Sequence, residues 1–446
     1  MDKFVDVYRI NLSHADLFKT RKIIKDIRDI NSKKVFMLDT KWPEIRTTNK
    51  EIIVNKWDII KVYNKETENE VSLKYDFFEN IPTEVEISFD DNTVKWIVIS
   101  NNKEFLEVEI NQWWTIWYNK TVNFRWYEIE LDFLTEKDKE DIKFWVEEDI
   151  ALLAVSFIKS ASDIVRLREY IKENYDYEMK LIAKIETVSA VEDIDNIIKV
   201  SDWIMIARWD LWANINLIDL PKVQQEIVKK CNLAWKPVIL ATQVMSSMTN
   251  NPLPTRAEID EVAYNIQNWV DIFMLSNETA VWKYPLETVN VLNDIIINYQ
   301  ENVYIKLKWE DIQNYVNEEN EITDYILYNA KKMAYKLGVK FIVAPTSSGY
   351  TPSRLSSLKP NIPIIAFTDD DKIFKYCNLM FWVHSHKISK ENMEYSKFKK
   401  VVWETLQIEY RWKVKWEDRI LIVHSSIAQN VPNMINWIEV IKFKDL

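Results

Sequence analysis

Residues 180–215, KLIAKIETVSAVEDIDNIIKVSDWIMIARWDLWANI, constrain the fold more than any other stretch of the chain. Two short apolar runs, 181–185 and 203–207, each lead into charged residues, and a helical pattern lies between them. Strand, helix, strand in succession is the unit of a parallel α/β fold. In such folds the loops after the strands gather at one face, so Lys184, Glu186 and Asp210 are expected to converge there. Two carboxylates beside a lysine suit Mg²⁺ and an anionic, oxygen-rich substrate, because Mg²⁺ takes one or two carboxylates and completes its shell with phosphate and water. The plainer alternative is a surface ion pair at two loop ends.

The same alternation recurs along the chain. Apolar runs predict strands over 5–12, 34–38, 152–157, 181–185, 204–207, 238–241 and 272–275, with helices between them, among them 16–29 and one capped by Thr135. That is seven strands for a (β/α)₈ barrel, which needs eight, so a first strand and helix are expected ahead of the chain's start. From 48 to 131 the pattern changes to short alternating runs at 51–54, 85–89, 93–99, 105–110 and 127–131, an all-β insertion. A last α/β unit follows, with a helix over 323–337 and strands over 341–344, 362–367, 420–424 and 437–443. The expected domains are therefore 1–47 and 132–301 (barrel), 48–131 (β-barrel-like insertion) and 302–446 (C-terminal α/β).

A net charge of −11 argues against nucleic acid as the main partner. No run of 18 apolar residues exists and the start MDKFVDVYRI has no signal-peptide pattern, so no membrane partner is expected and the location is read as cytoplasmic. One pair of counts is out of line: 2 glycines and 20 tryptophans in 446 residues. Ordinary usage gives about 30 glycines in this length. Several tryptophans stand where turns and helix ends want glycine, as in Lys56-Trp57-Asp58, Asn111-Gln112-Trp113-Trp114, Ala234-Trp235-Lys236-Pro237 and Lys415-Trp416-Glu417-Asp418. The expectation is that the gene uses UGA for glycine and that these positions are glycine written as tryptophan.

With Trp read as Gly, the chain resembles pyruvate kinase over nearly its whole length. The motifs that carry the resemblance are YRINLSHA at 8–15, LDTKWPEIRT at 38–47, SFIKSASDI at 156–164, KIE at 184–186, IMIARWDLWANI at 204–215, ATQ at 241–243, PTRAE at 254–258 and MLSNETA at 274–280. The resemblance implies a barrel domain, a β insertion after its third strand and an α/β C-terminal domain. It implies phosphoryl transfer from phosphoenolpyruvate to ADP, Mg²⁺ (or Mn²⁺) and K⁺ as cofactors, and a homotetramer. By position it implies Glu186 and Asp210 as Mg²⁺ ligands, and Lys184 and Arg9 at the phosphoryl group and the developing enolate. Asn11, Ser13, Asp39 and Thr40 resemble the K⁺ site; Asn11, His14, Arg46 and Lys159 fall on the nucleotide side. Backbone N–H groups around Trp209 and Asp210 would hold the substrate carboxylate, and Thr242 would sit near the carbon that is protonated. The loop Thr346 to Gly349 resembles the effector-phosphate loop, but its partner segment 425–432 lacks arginine. Asn277 stands where glycine is common, and a side chain tolerant of positive φ is the mildest replacement expected there. Two rivals stand beside the kinase: a Mg²⁺-dependent enolate aldolase or lyase on the same barrel, and a degenerate paralogue that only binds.

Overall fold

The structure is a computed structural model that describes residues 4–11, 16–31, 34–40, 45–67, 69–73, 78–90, 93–124, 134–280, 283–300, 308–313, 316, 318–410, 414–424 and 435–446. Seven parallel strands form its central sheet, in spatial order Val7–Asn11, Val35–Asp39, Leu152–Val155, Lys180–Ile185, Trp203–Ala207, Val238–Ala241 and Ile272–Met274. All seven expected strands are present, with ends moved by a residue or two. The middle strands are buried along their whole length, which is why their sequences show apolar runs rather than alternation. The sheet curls into a TIM-like barrel. Its end strands, Val7–Asn11 and Ile272–Met274, are not paired with each other among the described residues.

Strand parity divides the apolar side chains into two sets. Leu181, Ala183, Ile185, Ile204 and Ile206 face the surrounding helices, whereas Met37, Leu152, Ala154, Ile182 and Met205 fill the barrel. The helices begin where the sequence supplies caps: Thr135 with Asp138, and Thr255 with Glu258, each make a reciprocal capping box.

The insertion has a six-stranded sheet, Val122–Phe124, Glu86–Phe89, Val94–Asn101, Phe105–Glu109, Ile59–Tyr63 and Val71–Ser72 in spatial order, with Ile52–Val54 paired to Trp114–Ile116 beside it. The expected strand over 127–131 lies outside the described residues. Bridges Arg46↔Thr121 and Thr47↔Leu73 close the root of this domain onto the barrel. Helix Arg208–Asn214 of the barrel packs against strand Val122–Phe124, so the insertion stands over the strand ends.

The C-terminal sheet runs Val383–Lys387, Ile364–Thr368, Phe341–Pro345, Arg419–His424 and Trp437–Lys442, the last pair antiparallel. Helix Glu321–Leu337 packs on it. In the loop Thr346 to Gly349, the Gly349 N–H donates to Thr346 Oγ1 at 2.9 Å, and Gly349 has φ 79°. The segment 425–432 is outside the described residues. Asn277 corrects an expectation: it opens the short helix Asn277–Ala280 and is absent from the positive-φ residues.

A buried ion pair joins the C-terminal domain to the barrel. Lys359, 1% exposed, pairs through Nζ with Asp271 Oδ1, while Asp271 Oδ2 accepts the Val238 N–H at 3.0 Å. Removing one partner of a buried pair leaves the other uncompensated. Lys359→Met is therefore expected to lower unfolding free energy by about 3 kcal/mol, read from the urea midpoint; a loss under about 0.5 kcal/mol would class the pair with surface ion pairs.

Candidate active site

At the C-terminal end of the barrel the inward-facing positions change from apolar to charged. Lys184 has the parity of Ile182, Asp39 that of Met37, Ser156 that of Ala154 and Arg9 that of Val7, so all four turn inward above the apolar filling. That filling closes the barrel from below and lowers the local dielectric around whatever sits on it.

Asp39, 1% exposed, is the junction. Its Oδ2 accepts Arg9 Nε at 2.7 Å; its Oδ1 accepts Lys184 Nζ at 3.0 Å and the Ser156 hydroxyl at 3.1 Å. Lys184 Nζ also donates to Ser156 Oγ at 2.7 Å and lies 2.7 Å from Glu186 Oε1. Burial pulls the Lys184 pKa down, but the carboxylates of Asp39, Glu186 and Asp210 outweigh it and the net shift is upward. Burial likewise pushes Asp39 up, and Lys184 with Arg9 reverse this to a net lowering. Both groups are thus charged at neutral pH.

Glu186 is fully buried, and its Oε2 accepts the Phe157 N–H at 2.6 Å. Its Oε1 accepts no hydrogen bond although it lies in an ion pair. Asn214 Nδ2 donates to the backbone oxygens of Glu186 at 2.8 Å and Asp210 at 3.1 Å, which fixes the two loops to each other. The buried Glu186 carboxylate, with Asp210 close enough to act on Lys184, is a donor set for a hard cation. Among the described residues no three His, Cys, Asp or Glu side chains gather to hold a metal by themselves. A pair of carboxylates fits Mg²⁺, which keeps water and phosphate in its shell, better than it fits a fully protein-bound ion.

The far side of the site is built on strain. Thr242 and Gln243, directly after strand Val238–Ala241, have φ of 65° and 54°. Arg208, 5% exposed, holds both: Nε donates to Thr242 O at 3.1 Å, and Nη2 to Thr242 O at 2.5 Å and Gln243 O at 2.7 Å. Its Nη1 pairs with Glu261 on the helix Arg256–Gln267. Thr242 Oγ1 in turn accepts the Trp209 N–H at 3.0 Å. Glu278 braces the same loop, accepting from Met245 N–H at 3.4 Å and Ser276 N–H at 2.9 Å.

The remaining expected residues fall at the same face or at the root of the insertion. Asn11 ends its strand opposite Asp39 in the register. The Thr40 hydroxyl donates to Ala154 O at 3.2 Å and accepts the Ser156 N–H at 3.1 Å. Lys159 follows strand Leu152–Val155, where its N–H donates to Asp163 Oδ2 at 2.8 Å. Arg46 Nη1 donates to Asn119 O at 2.8 Å in the insertion. Ser13 and His14 lie outside the described residues. Trp209 is 38% exposed, and its ring meets that of Trp212 edge-on at 5.6 Å. Arg208, Ser156, Asn214 and Glu278 carried no assignment in the sequence. Ser156 was findable by parity, as the inward residue after Ala154.

Comparison with known proteins favours the kinase over the aldolase or lyase. The family profile for the pyruvate kinase barrel domain matches residues 1–289. The chain belongs to the pyruvate kinase family. The profile for the pyruvate kinase alpha/beta domain matches 324–441. A pyruvate kinase from Bacillus licheniformis is 33% identical over 447 aligned residues, covering 96% of this chain and 75% of the relative. One from Borreliella burgdorferi is 28% identical and covers all of this chain and 93% of the relative. The crystal structure of a pyruvate kinase from Cryptosporidium parvum superposes with TM-score 0.89 at 25% identity, covering 99% of this chain and 91% of that one. Membership in the pyruvate kinase family makes the chain a phosphotransferase of glycolysis, and none of these matches favours an aldolase or lyase. No helix among the described residues is long and apolar enough to cross a membrane.

A lysine's single ammonium lacks the planar fork by which Arg208 holds both carbonyls and Glu261 at once. Arg208→Lys is therefore expected to cut kcat by roughly 10²-fold through misplacement of Thr242, with the circular dichroism spectrum unchanged. A change under about twofold would mean that the turn at Thr242 holds its own shape.

Proposed function

We propose that this chain moves the phosphoryl group of phosphoenolpyruvate onto ADP and releases pyruvate after protonation of the enolate, with Lys184 and Arg9 as the fixed charges that receive the transferring group. The observation that carries this is the Asp39 carboxylate, which holds both cations at the top of the barrel filling. Phosphoryl transfer through a loose transition state asks for positioned positive charge more than for covalent chemistry. Because the Lys184 pKa is raised, the ammonium keeps its proton at neutral pH and acts as a charge, not as a base.

Glu186 and Asp210 would hold Mg²⁺ or Mn²⁺. The full burial of the Glu186 carboxylate, with the Asn214 amide tying its backbone to that of Asp210, supports this. When bound, the divalent ion supplies neutralisation of the phosphoryl oxygens. Asn11, Ser13, Asp39 and Thr40 are assigned to K⁺, and the pairing of Asn11 with Asp39 in the strand register agrees with a shared site. Both Asp39 oxygens already face cationic side chains, so its part in that site would be electrostatic as much as a direct bond. Asn11, His14, Arg46 and Lys159 are assigned to the nucleotide.

The Thr242 hydroxyl accepts from Trp209 and so keeps its own proton to donate, which suits a group beside the carbon that is protonated. The Trp209 N–H is already engaged by that hydroxyl; a substrate carboxylate bound near Trp209 and Asp210 would therefore share it with Thr242. A homotetramer in the cytoplasm completes the proposal on the strength of the family alone.

The test is turnover of phosphoenolpyruvate with ADP, coupled to pyruvate detection. Asp210→Asn and Glu186→Gln should each lower kcat by about 10³-fold or more while the circular dichroism spectrum shows the fold retained. Losses under about tenfold would return both carboxylates to the class of ordinary ion pairs. Substrate consumption without any need for ADP would favour the lyase.

A further inference from the structure

Tryptophan in this chain takes backbone conformations that belong to glycine. Of the 20 tryptophans, Trp42, Trp126, Trp282 and Trp412 lie outside the described residues. Of the other sixteen, Trp57, Trp235, Trp269 and Trp382 have φ of 78°, 62°, 75° and 56°. Left-handed backbone is found in a few per cent of non-glycine residues, mostly Asn and Asp, and a bulky side chain there is an outlier. Here it holds for a quarter of the described tryptophans. The two residues written as glycine, Gly338 and Gly349, are both left-handed as well, at 60° and 79°.

Hydrogen bonding makes the equivalence specific. Helix Glu321–Leu337 ends with the Gly338 N–H donating to Tyr335 O at 3.2 Å and the Val339 N–H to Ala334 O at 3.0 Å. This is the pair of bonds that closes a helix over a left-handed residue, usually glycine. Helix Leu220–Leu233 ends with the same two bonds, Trp235 N–H to Asn232 O at 3.2 Å and Lys236 N–H to Cys231 O at 2.9 Å. Helix Arg256–Gln267 repeats them with Trp269 N–H to Ile266 O at 3.0 Å and Val270 N–H to Asn265 O at 3.1 Å. Trp57 and Trp382 each stand third in a four-residue turn, closed by Asp58 N–H to Asn55 O at 3.1 Å and by Val383 N–H to Met380 O at 3.2 Å. A positive φ at that place calls for glycine.

The indoles themselves are poorly served. The Nε1–H groups of Trp96, Trp114, Trp145 and Trp235 are buried with no hydrogen-bond partner, whereas a buried tryptophan ordinarily finds one. The turns containing Trp113, Trp114 and Trp416 do not support the expectation made for them, since none of these three has positive φ. The inference stands on the four left-handed positions and extends to the rest because one codon would serve them all.

We propose that the polypeptide made in the cell carries glycine at the positions written as tryptophan, through a UGA codon that is read there as glycine. At the active site this replaces the Trp209 and Trp212 rings, which meet at 5.6 Å beside Thr242 and Asp210, with bare backbone.

The direct test is peptide sequencing by mass spectrometry of the protein purified from its own cells. Glycine at positions 57, 235, 269 and 382 is the expected result, and tryptophan at any of the four overturns the proposal. A second measurement needs only recombinant full-length chain. Trp57 is 71% exposed, so its replacement opens no cavity. Trp57→Gly should melt at a higher temperature than Trp57→Ala, because alanine keeps the left-handed strain that glycine removes. At Trp416, 57% exposed and with ordinary φ, glycine should melt no higher than alanine. Equal or reversed melting temperatures at position 57 would overturn the backbone argument.

Discussion

The two cations of the active face, Arg9 and Lys184, depend on one carboxylate. Asp39 sits almost without solvent contact at the end of a strand whose every residue is buried, and it accepts from Arg9, Lys184 and Ser156 at once. Two cations brought together in a poorly hydrated place repel each other and lose their water; the carboxylate between them makes the arrangement stable. In exchange it fixes their position before any substrate arrives, so little reorganisation is left for the reaction. Ser156 adds a second tether to Lys184 and shortens the range over which the ammonium can wander.

Around that junction the barrel divides its work by strand. Met37, Ala154, Ile182 and Met205 fill the interior and hold the strands at fixed spacing, so the residue after each of them along the same parity arrives at a set height. The strained turn at Thr242 and Gln243 is a different device. Its two carbonyls point at one guanidinium, and that guanidinium is anchored by Glu261 on the next helix. A hydroxyl held this way cannot relax to a commoner backbone conformation without breaking three hydrogen bonds.

The strands of the barrel were legible because buried parallel strands carry apolar runs with no competing pattern. The ends of the two runs at 185 and 207 were enough to expect Lys184, Glu186 and Asp210 at one face. The strand Val383–Lys387 was not legible: its sequence VHSHK carries one apolar residue, and its strand character comes from pairing with Ile364–Thr368. Ile59–Tyr63 hid for a similar reason, since only Val62 of that strand is fully buried. Arg208 escaped notice because its role depends on where two carbonyls point, which follows from φ at Thr242 and Gln243, and neither residue type announces a left-handed backbone. Asn277 erred the other way, since a residue tolerant of positive φ is also a good helix start, and here it is the helix that forms. The excess of tryptophan over glycine was visible in the counts, but the left-handed helix ends at Trp235 and Trp269 and the left-handed turn residues Trp57 and Trp382 attach it to a physical requirement.

The central place of Asp39 is open to a double-mutant cycle on unfolding free energy with Asp39→Asn, Arg9→Met and the two combined. If the carboxylate holds the cations together, Asp39→Asn alone leaves Arg9 facing Lys184 without the carboxylate between them, and removing Arg9 in addition restores part of the loss. The expected coupling is about 1 kcal/mol or more. Losses that simply add, to within about 0.3 kcal/mol, would contradict the claim that this ion cluster is one unit.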